Sequence, residues 1–217
     1  MFKDEVTAVG NAAKGKINLL EHNFTGYIMM SLLAGLYIAL GSILMGIVGG
    51  VFTGGGSYAT KLACGIVFSV GLCFVTMGGA ELFTGNNLVM TIGGLKKTVT
   101  WGQVAKLWIV CWLGNLVGSV IAAVIFTMTG IPGSGDIGAF FANTAAAKMG
   151  GSAANLFSKA ILCNICVCVA IWCGTKLKSE GAKIAMNFCC VTTFVTCGFE
   201  HSIANMTFLS IGLMNQN

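Results

Sequence analysis

From His22 to Thr60 no residue carries a permanent charge. A helix that crosses a bilayer needs about 20 consecutive, mostly apolar residues, so this gap has room for one long span over residues 25–51. Lys61 and Glu81 enclose 19 further uncharged residues, enough for a second crossing. Glu81 is followed by Leu-Phe-Thr-Gly-Asn-Asn, a poor helix interior, and then by an apolar piece, 88–95, too short to span. A third helix is predicted over 103–128, and Pro132, Gly133 and Gly135 break the chain after it. A fourth is predicted over 153–175. A fifth starts at Lys183, reaches Phe199 and meets Glu200-His201, and Ser202–Met214 follows as a half-length apolar piece.

Composition agrees. The 217 residues are 56% hydrophobic and 9% charged, with a mean hydropathy of +0.86. A soluble domain is about 25% charged, and disorder needs low hydrophobicity with high charge. Both classes are excluded, and the chain reads as one all-α integral membrane domain, 1–217, in which 1–24 is a polar cytoplasmic lead-in with no signal-peptide core. The net charge of +5 comes from 12 lysines, with no arginine, against 7 acids. The lysines sit in small groups between apolar runs, which marks topology and not a nucleic-acid patch. Nine of them (Lys3, Lys14, Lys16, Lys96, Lys97, Lys106, Lys176, Lys178, Lys183) fall in one set of loops; Lys61, Lys148 and Lys159 fall in the other. That bias places the N-terminus in the cytoplasm. The ten cysteines lie in or beside apolar segments and read as small hydrophobes. Cys163-x-x-Cys166 lacks the second Cys/His pair of a zinc site. No metal, cofactor or catalytic centre is expected.

Two stretches read alike. Phe74-Val75-Thr76-Met77-Gly78-Gly79-Ala80-Glu81 and Phe194-Val195-Thr196-Cys197-Gly198-Phe199-Glu200 share Phe-Val-Thr-x-Gly, then a glutamate, with one gap residue before it. An asparagine, Asn86 or Asn205, ends each. The lysine bias makes the second span run inward and the fifth outward, so the repeats are inverted. Inverted repeats with interrupted helices mark substrate paths, because open backbone at membrane depth survives only in protein or beside a water-filled cavity.

His201 sits at the second break, and an ionisable group inside a span reads as functional. Histidine exchanges protons near neutral pH; the bland alternative is a neutral ring satisfying a loose carbonyl. Glu81 and Glu200 read as acceptors for backbone N–H groups or asparagine amides, with proton relay as the alternative. Thr84 lies on the irregular stretch and could donate into the path. Asn164 is mid-helix in the fourth span, either on the path or tying two helices together. Asn115 reads as helix-to-helix glue, and Gly41, Gly46, Gly49, Gly50, Gly114 and Gly118 as close-packing positions. Lys148, in an outer loop without acidic neighbours, either funnels anions or is simply solvated. Phe68, Leu72, Leu82, Phe83 and Phe194 lie on the same elements and could form hydrophobic constrictions, with core packing as the default.

The segments Ala-Glu-Leu-Phe-Thr-Gly-Asn-Asn (80–87), Gly-Asn-Leu-Val-Gly (114–118) and Gly-Phe-Glu-His-Ser-Ile-Ala-Asn-Met (198–206) resemble the signatures of the formate/nitrite transporter family, with wording closest to its hydrosulfide-channel branch. The resemblance implies an aquaporin-like bundle of six spans, five of them visible here, assembled as a homopentamer in a prokaryotic inner membrane. It implies a path for small monovalent anions: formate, nitrite or hydrosulfide. By the same resemblance His201 is the central histidine, Thr84 the loop threonine, Asn164 the pore asparagine and Lys148 the vestibule lysine. Phe68 and Phe194 match an outer constriction, and Leu72, Leu82 and Phe83 an inner one. A second Gly-Asn-x-x-Gly on a sixth span is expected beyond the residues given. The expected activity is a channel for a weak-acid anion, most readily hydrosulfide, with proton sharing at His201. The alternatives are a neutral-solute channel for water, glycerol or ammonia, and a proton-coupled carrier.

Overall fold

The polar lead-in forms a helix. In the computed structural model, which describes residues 2–215, α1 (Lys3–His22) buries Val9, Ala13, Ile17 and Leu20, spaced three and four apart along one face. Asn23 ends it and caps α2 (Phe24–Gly54), its side chain accepting from the Gly26 N–H at 3.0 Å. Then come α3 (Thr60–Gly78), α4 (Phe83–Leu95) and α5 (Trp101–Met128), the last opened by a reciprocal Thr100/Gln103 capping box. A short 3₁₀ turn, Ile131–Gly133, holds the single proline. The chain continues through α6 (Gly135–Met149), α7 (Ala153–Lys176), α8 (Glu180–Thr196) and α9 (Ser202–Met214).

Helices α2, α3, α5 and α7 are long and apolar enough to cross a membrane. The fifth predicted span corresponds to α8, and the half-length apolar piece after it to α9. Among the described residues no helix follows α9, so the sixth expected span has no counterpart there. The predicted boundaries hold to within a few residues, except at the first break. Thr84, Gly85, Asn86 and Asn87 do not lie on an irregular stretch; they form the first turn and a half of α4, and the open backbone is confined to Gly79–Leu82.

Glycine lets the helices approach closely. A Cβ on Gly118 would strike the Leu32 carbonyl of α2, and one on Gly50 would lie 2.6 Å from the Ile137 Cα of α6. Three pairings fix how α3 meets α8. Gly65 faces Thr196, Phe68 faces Phe194, and Thr76 faces Asn187. Rising numbers on one helix meet falling numbers on the other, so the two interrupted helices are antiparallel.

The two breaks share one conformation. Gly79 and Gly198 have φ of 72° and 73°, a left-handed turn that only glycine takes without strain. The next N–H closes each turn: Ala80 donates to the Val75 carbonyl at 3.1 Å and Phe199 to the Phe194 carbonyl at 2.9 Å. Leu82 and His201 are then extended, and a new helix starts. The register is therefore Gly79 with Gly198, Glu81 with Glu200, Leu82 with His201 and Asn86 with Asn205. This corrects the sequence alignment, which matched Gly78 to Gly198 and put the gap before the glutamate. No gap is needed: the same count runs back through both helices, pairing the buried Phe68, Leu72 and Val75 with the buried Asn187, Val191 and Phe194, and the Phe-Val-Thr match is one residue out of register.

Candidate functional site: two helix breaks around a histidine

At the first break Glu81 is buried. It pairs with Lys16 of α1, and the Asn86 amide donates to its second oxygen at 2.9 Å. Asn115 of α5 completes the break. Its Oδ1 accepts the Phe83 N–H at 2.9 Å, and its Nδ2 donates to the Ser31 and Glu81 carbonyls at 2.7 and 2.9 Å. The amide thus serves a helix start that has no intrahelical partner. Asn115 is glue, as its sequence position suggested.

At the second break the pattern recurs with the other face's helix. Lys148 is not in an open loop without acidic neighbours; it sits in the last turn of α6, and its Nζ donates to Glu200 at 2.7 Å. Both side chains are largely shielded, at 16% and 13% exposed. Two carboxylates so withdrawn from water need such partners, which is why each break carries a lysine from a flanking helix. For both glutamates the partner is a lysine as well as, or in place of, the expected amides.

His201 is buried and caps α9: the Ala204 N–H donates to its Nδ1 at 3.1 Å. A neutral imidazole that accepts at Nδ1 carries its hydrogen on Nε2. That Nε2–H points at the Thr84 hydroxyl, 3.1 Å away. Among the described residues nothing else pairs with this hydroxyl, whose own hydrogen stays free to donate. Phe194 stacks on the imidazole with centroids 5.7 Å apart and 15° between planes. Phe68 meets it edge-on at 6.2 Å and meets Phe194 at 6.1 Å. Leu72 and Leu82 belong to the same buried cluster, and Phe83 packs at its edge.

Asn164 does not point loosely into space. Its Nδ2 donates to the Thr84 carbonyl at 3.0 Å and its Oδ1 accepts from Asn87 at 3.1 Å, tying α7 to α4 directly behind the threonine. Asn87 and Lys16 were missed in the sequence. Lys16 had a signal, since it adjoins the buried Ile17 of an amphipathic helix, but nothing there names the glutamate it reaches.

Cavities flank this centre. On one side a chamber of about 100 Å³ lies between Lys148, Glu200 and the Phe68–Phe194–His201 cluster, and beyond it a cavity of 570 Å³ opens past Lys61, Asp136 and Asn143. On the other side a cavity of 510 Å³ is lined by Lys16, Glu81, Leu82, Lys183 and Asn187. A groove of 640 Å³ between α4 and α7 also reaches Thr84, Asn164 and His201. No group of three histidine, cysteine, aspartate or glutamate side chains able to hold a metal occurs among the described residues.

Known proteins resemble this chain in sequence and fold. The sequence profile described as formate/nitrite transporter matches residues 3–217. The nitrite transporter NirC of Salmonella typhimurium is 34% identical over 215 residues, which cover 97% of this chain and 77% of NirC. A solved FNT family ion channel superposes with a TM-score of 0.93 at 32% identity, covering 99% of this chain and 85% of its own. A pentameric formate channel with formate bound superposes with a TM-score of 0.75 at 27% identity, covering 88% and 75%. Sequence and overall fold agree, and the chain belongs to the formate/nitrite transporter family of multi-pass membrane transporters and channels.

Proposed function

We propose that the protein is a passive channel for small weak-acid anions, with hydrosulfide the best substrate among hydrosulfide, formate and nitrite. The observation that supports it most is the His201–Thr84 contact, flanked by Phe68 and Phe194, with cavities on both sides. Lys148 and the Ser202 and Ile203 N–H groups at the start of α9, which have no partner among the described residues, attract an anion into the small chamber. The aromatic pair then opposes it, because stripping water from an ion costs several kcal/mol, while its neutral acid pays far less. Of the three acids hydrogen sulfide is the weakest, so near neutrality it keeps the largest neutral fraction, and it is also the smallest.

At the midpoint His201 shares its Nε2 hydrogen with the substrate, and the Thr84 hydroxyl donates a second hydrogen bond. Nδ1 is occupied by the Ala204 N–H, so the sharing takes the form of a donated hydrogen bond. The substrate's own proton comes from water in the flanking cavities. The pentameric relative suggests a homopentamer with one path per subunit. The lysine bias supports a cytoplasmic N-terminus and, in a prokaryote, the inner membrane.

Flux of hydrosulfide, formate and nitrite into liposomes carrying the purified protein, each at two pH values, tests the reading. Hydrosulfide should move fastest, and all three faster at the lower pH. Water or glycerol permeation without movement of any acid would overturn it in favour of a neutral-solute channel. Stimulation of labelled-substrate uptake by unlabelled substrate on the far side of the membrane would make it a carrier.

A further inference from the structure

The register of the two breaks identifies an unassigned residue on the inner side of the path. Phe68 lies eleven residues before Gly79, and Asn187 lies eleven before Gly198. Phe194 lies four before Gly198, and Val75 four before Gly79. The pseudo-twofold operation that exchanges the repeats therefore carries the aromatic pair Phe68–Phe194 onto Asn187–Val75. Where one half of the path has two phenyl rings and a chamber of about 100 Å³, the other has an amide, a valine and a cavity of 510 Å³.

The amide is held in one orientation. The Thr76 hydroxyl donates its single hydrogen to the Leu72 carbonyl at 3.0 Å, so toward Asn187 it can only accept. Asn187 meets it with Nδ2, at 2.8 Å. The carbonyl oxygen of Asn187 is left over. Among the described residues it has no hydrogen-bond partner, and it keeps some accessible surface although Asn187 as a whole is only 2% exposed. That oxygen borders the inner cavity, which Val75, Thr76 and Asn187 line together.

We propose that the Asn187 carbonyl is a hydrogen-bond acceptor for the protonated form of the substrate at the inner end of the constriction. An acceptor with no donor of its own on that side repels an anion and welcomes S–H or O–H. Lys183, one turn nearer the start of α8 and lining the same cavity, then faces the anion once the acid has lost its proton to water. The two halves of the path thus differ in kind: apolar rings exclude charge on one side, and an oriented amide selects the neutral acid on the other.

The assignment rests on the weak-acid path proposed above. It is tested by formate and hydrosulfide flux in liposomes for Asn187→Leu, Asn187→Phe and Asn187→Gln beside the unchanged protein. Loss of one neutral hydrogen bond should slow Asn187→Leu by about two- to tenfold. The loss should be greatest at low pH, where the protonated form dominates; a merely loosened helix contact would lower flux equally at every pH. Asn187→Phe, which recreates the aromatic mate, should close the path, and Asn187→Gln should keep most of the flux. If Asn187→Leu does not assemble, Asn187→Ala takes its place with the same expected loss. Unchanged protein that conducts while the Leu or Ala and Phe variants conduct equally well overturns the acceptor alone. Unchanged protein that moves neither acid overturns the path and the acceptor with it.

Discussion

Replacing Asn115 by leucine keeps the side-chain volume and removes three hydrogen bonds from the first break. Two of them serve carbonyls with other partners: Glu81 also accepts from the Cys111 thiol at 3.1 Å, and Ser31 lies inside α2. Such interhelical bonds in a membrane are worth about 0.6 kcal/mol each. The third serves the Phe83 N–H, which opens α4 and has no substitute, so stranding it costs about 1–3 kcal/mol. The expected loss is about 2–4 kcal/mol. Ser119→Ala, which removes one 3.3 Å bond to the Gly35 carbonyl from the same helix, is the control, with an expected loss below about 1 kcal/mol. Unfolding of the purified proteins in detergent, followed by tryptophan fluorescence through an SDS titration, measures both. Because Thr84 is the next residue after Phe83, flux should fall with Asn115→Leu and hold with Ser119→Ala. An Asn115→Leu protein within about 0.5 kcal/mol of the parent would refute the idea that this amide holds the break together.

The Lys148–Glu200 pair gives a second expectation. Lys148→Met leaves a shielded carboxylate alone and should cost about 3–5 kcal/mol, whereas adding Glu200→Gln should restore most of that stability; equal losses in the single and double variants would contradict it. The glycine contacts give a third. Gly118→Leu should abolish monodisperse protein, because its side chain meets the Leu32 carbonyl, while Gly174→Ala, with nothing near, should leave the yield unchanged.

Much of this architecture was legible in the sequence because the bilayer imposes it locally. Charge-free runs had to be spans, and a glutamate after a glycine had to interrupt them. His201 stood out as an ionisable group inside an apolar stretch, whatever it might touch. Contacts between distant segments were not legible. Lys148 seemed free of acids because Glu200 is 52 residues away in the chain. Lys16 was read as a topology marker, although α1 brings it to Glu81. Thr84 looked irregular from Thr-Gly-Asn-Asn, yet those residues open a helix whose first N–H is met by Asn115 from another span. The repeat was visible, but its register was not: Phe-Val-Thr is a three-residue match in apolar sequence, while the left-handed glycine and the closure after it are conformational. Asn187 escaped notice for the same reason, since its meaning depends on that register.

The central claim is that the His201 ring meets the substrate. It is tested most directly by hydrosulfide and formate flux through His201→Phe and the unchanged protein, reconstituted at equal density and followed across pH 5 to 8. Losing one neutral hydrogen bond should slow the variant by about two- to tenfold and alter its pH profile, and His201→Gln, which retains a donor, should recover part of the rate. A His201→Phe profile that superimposes on that of the parent at every pH would contradict the account.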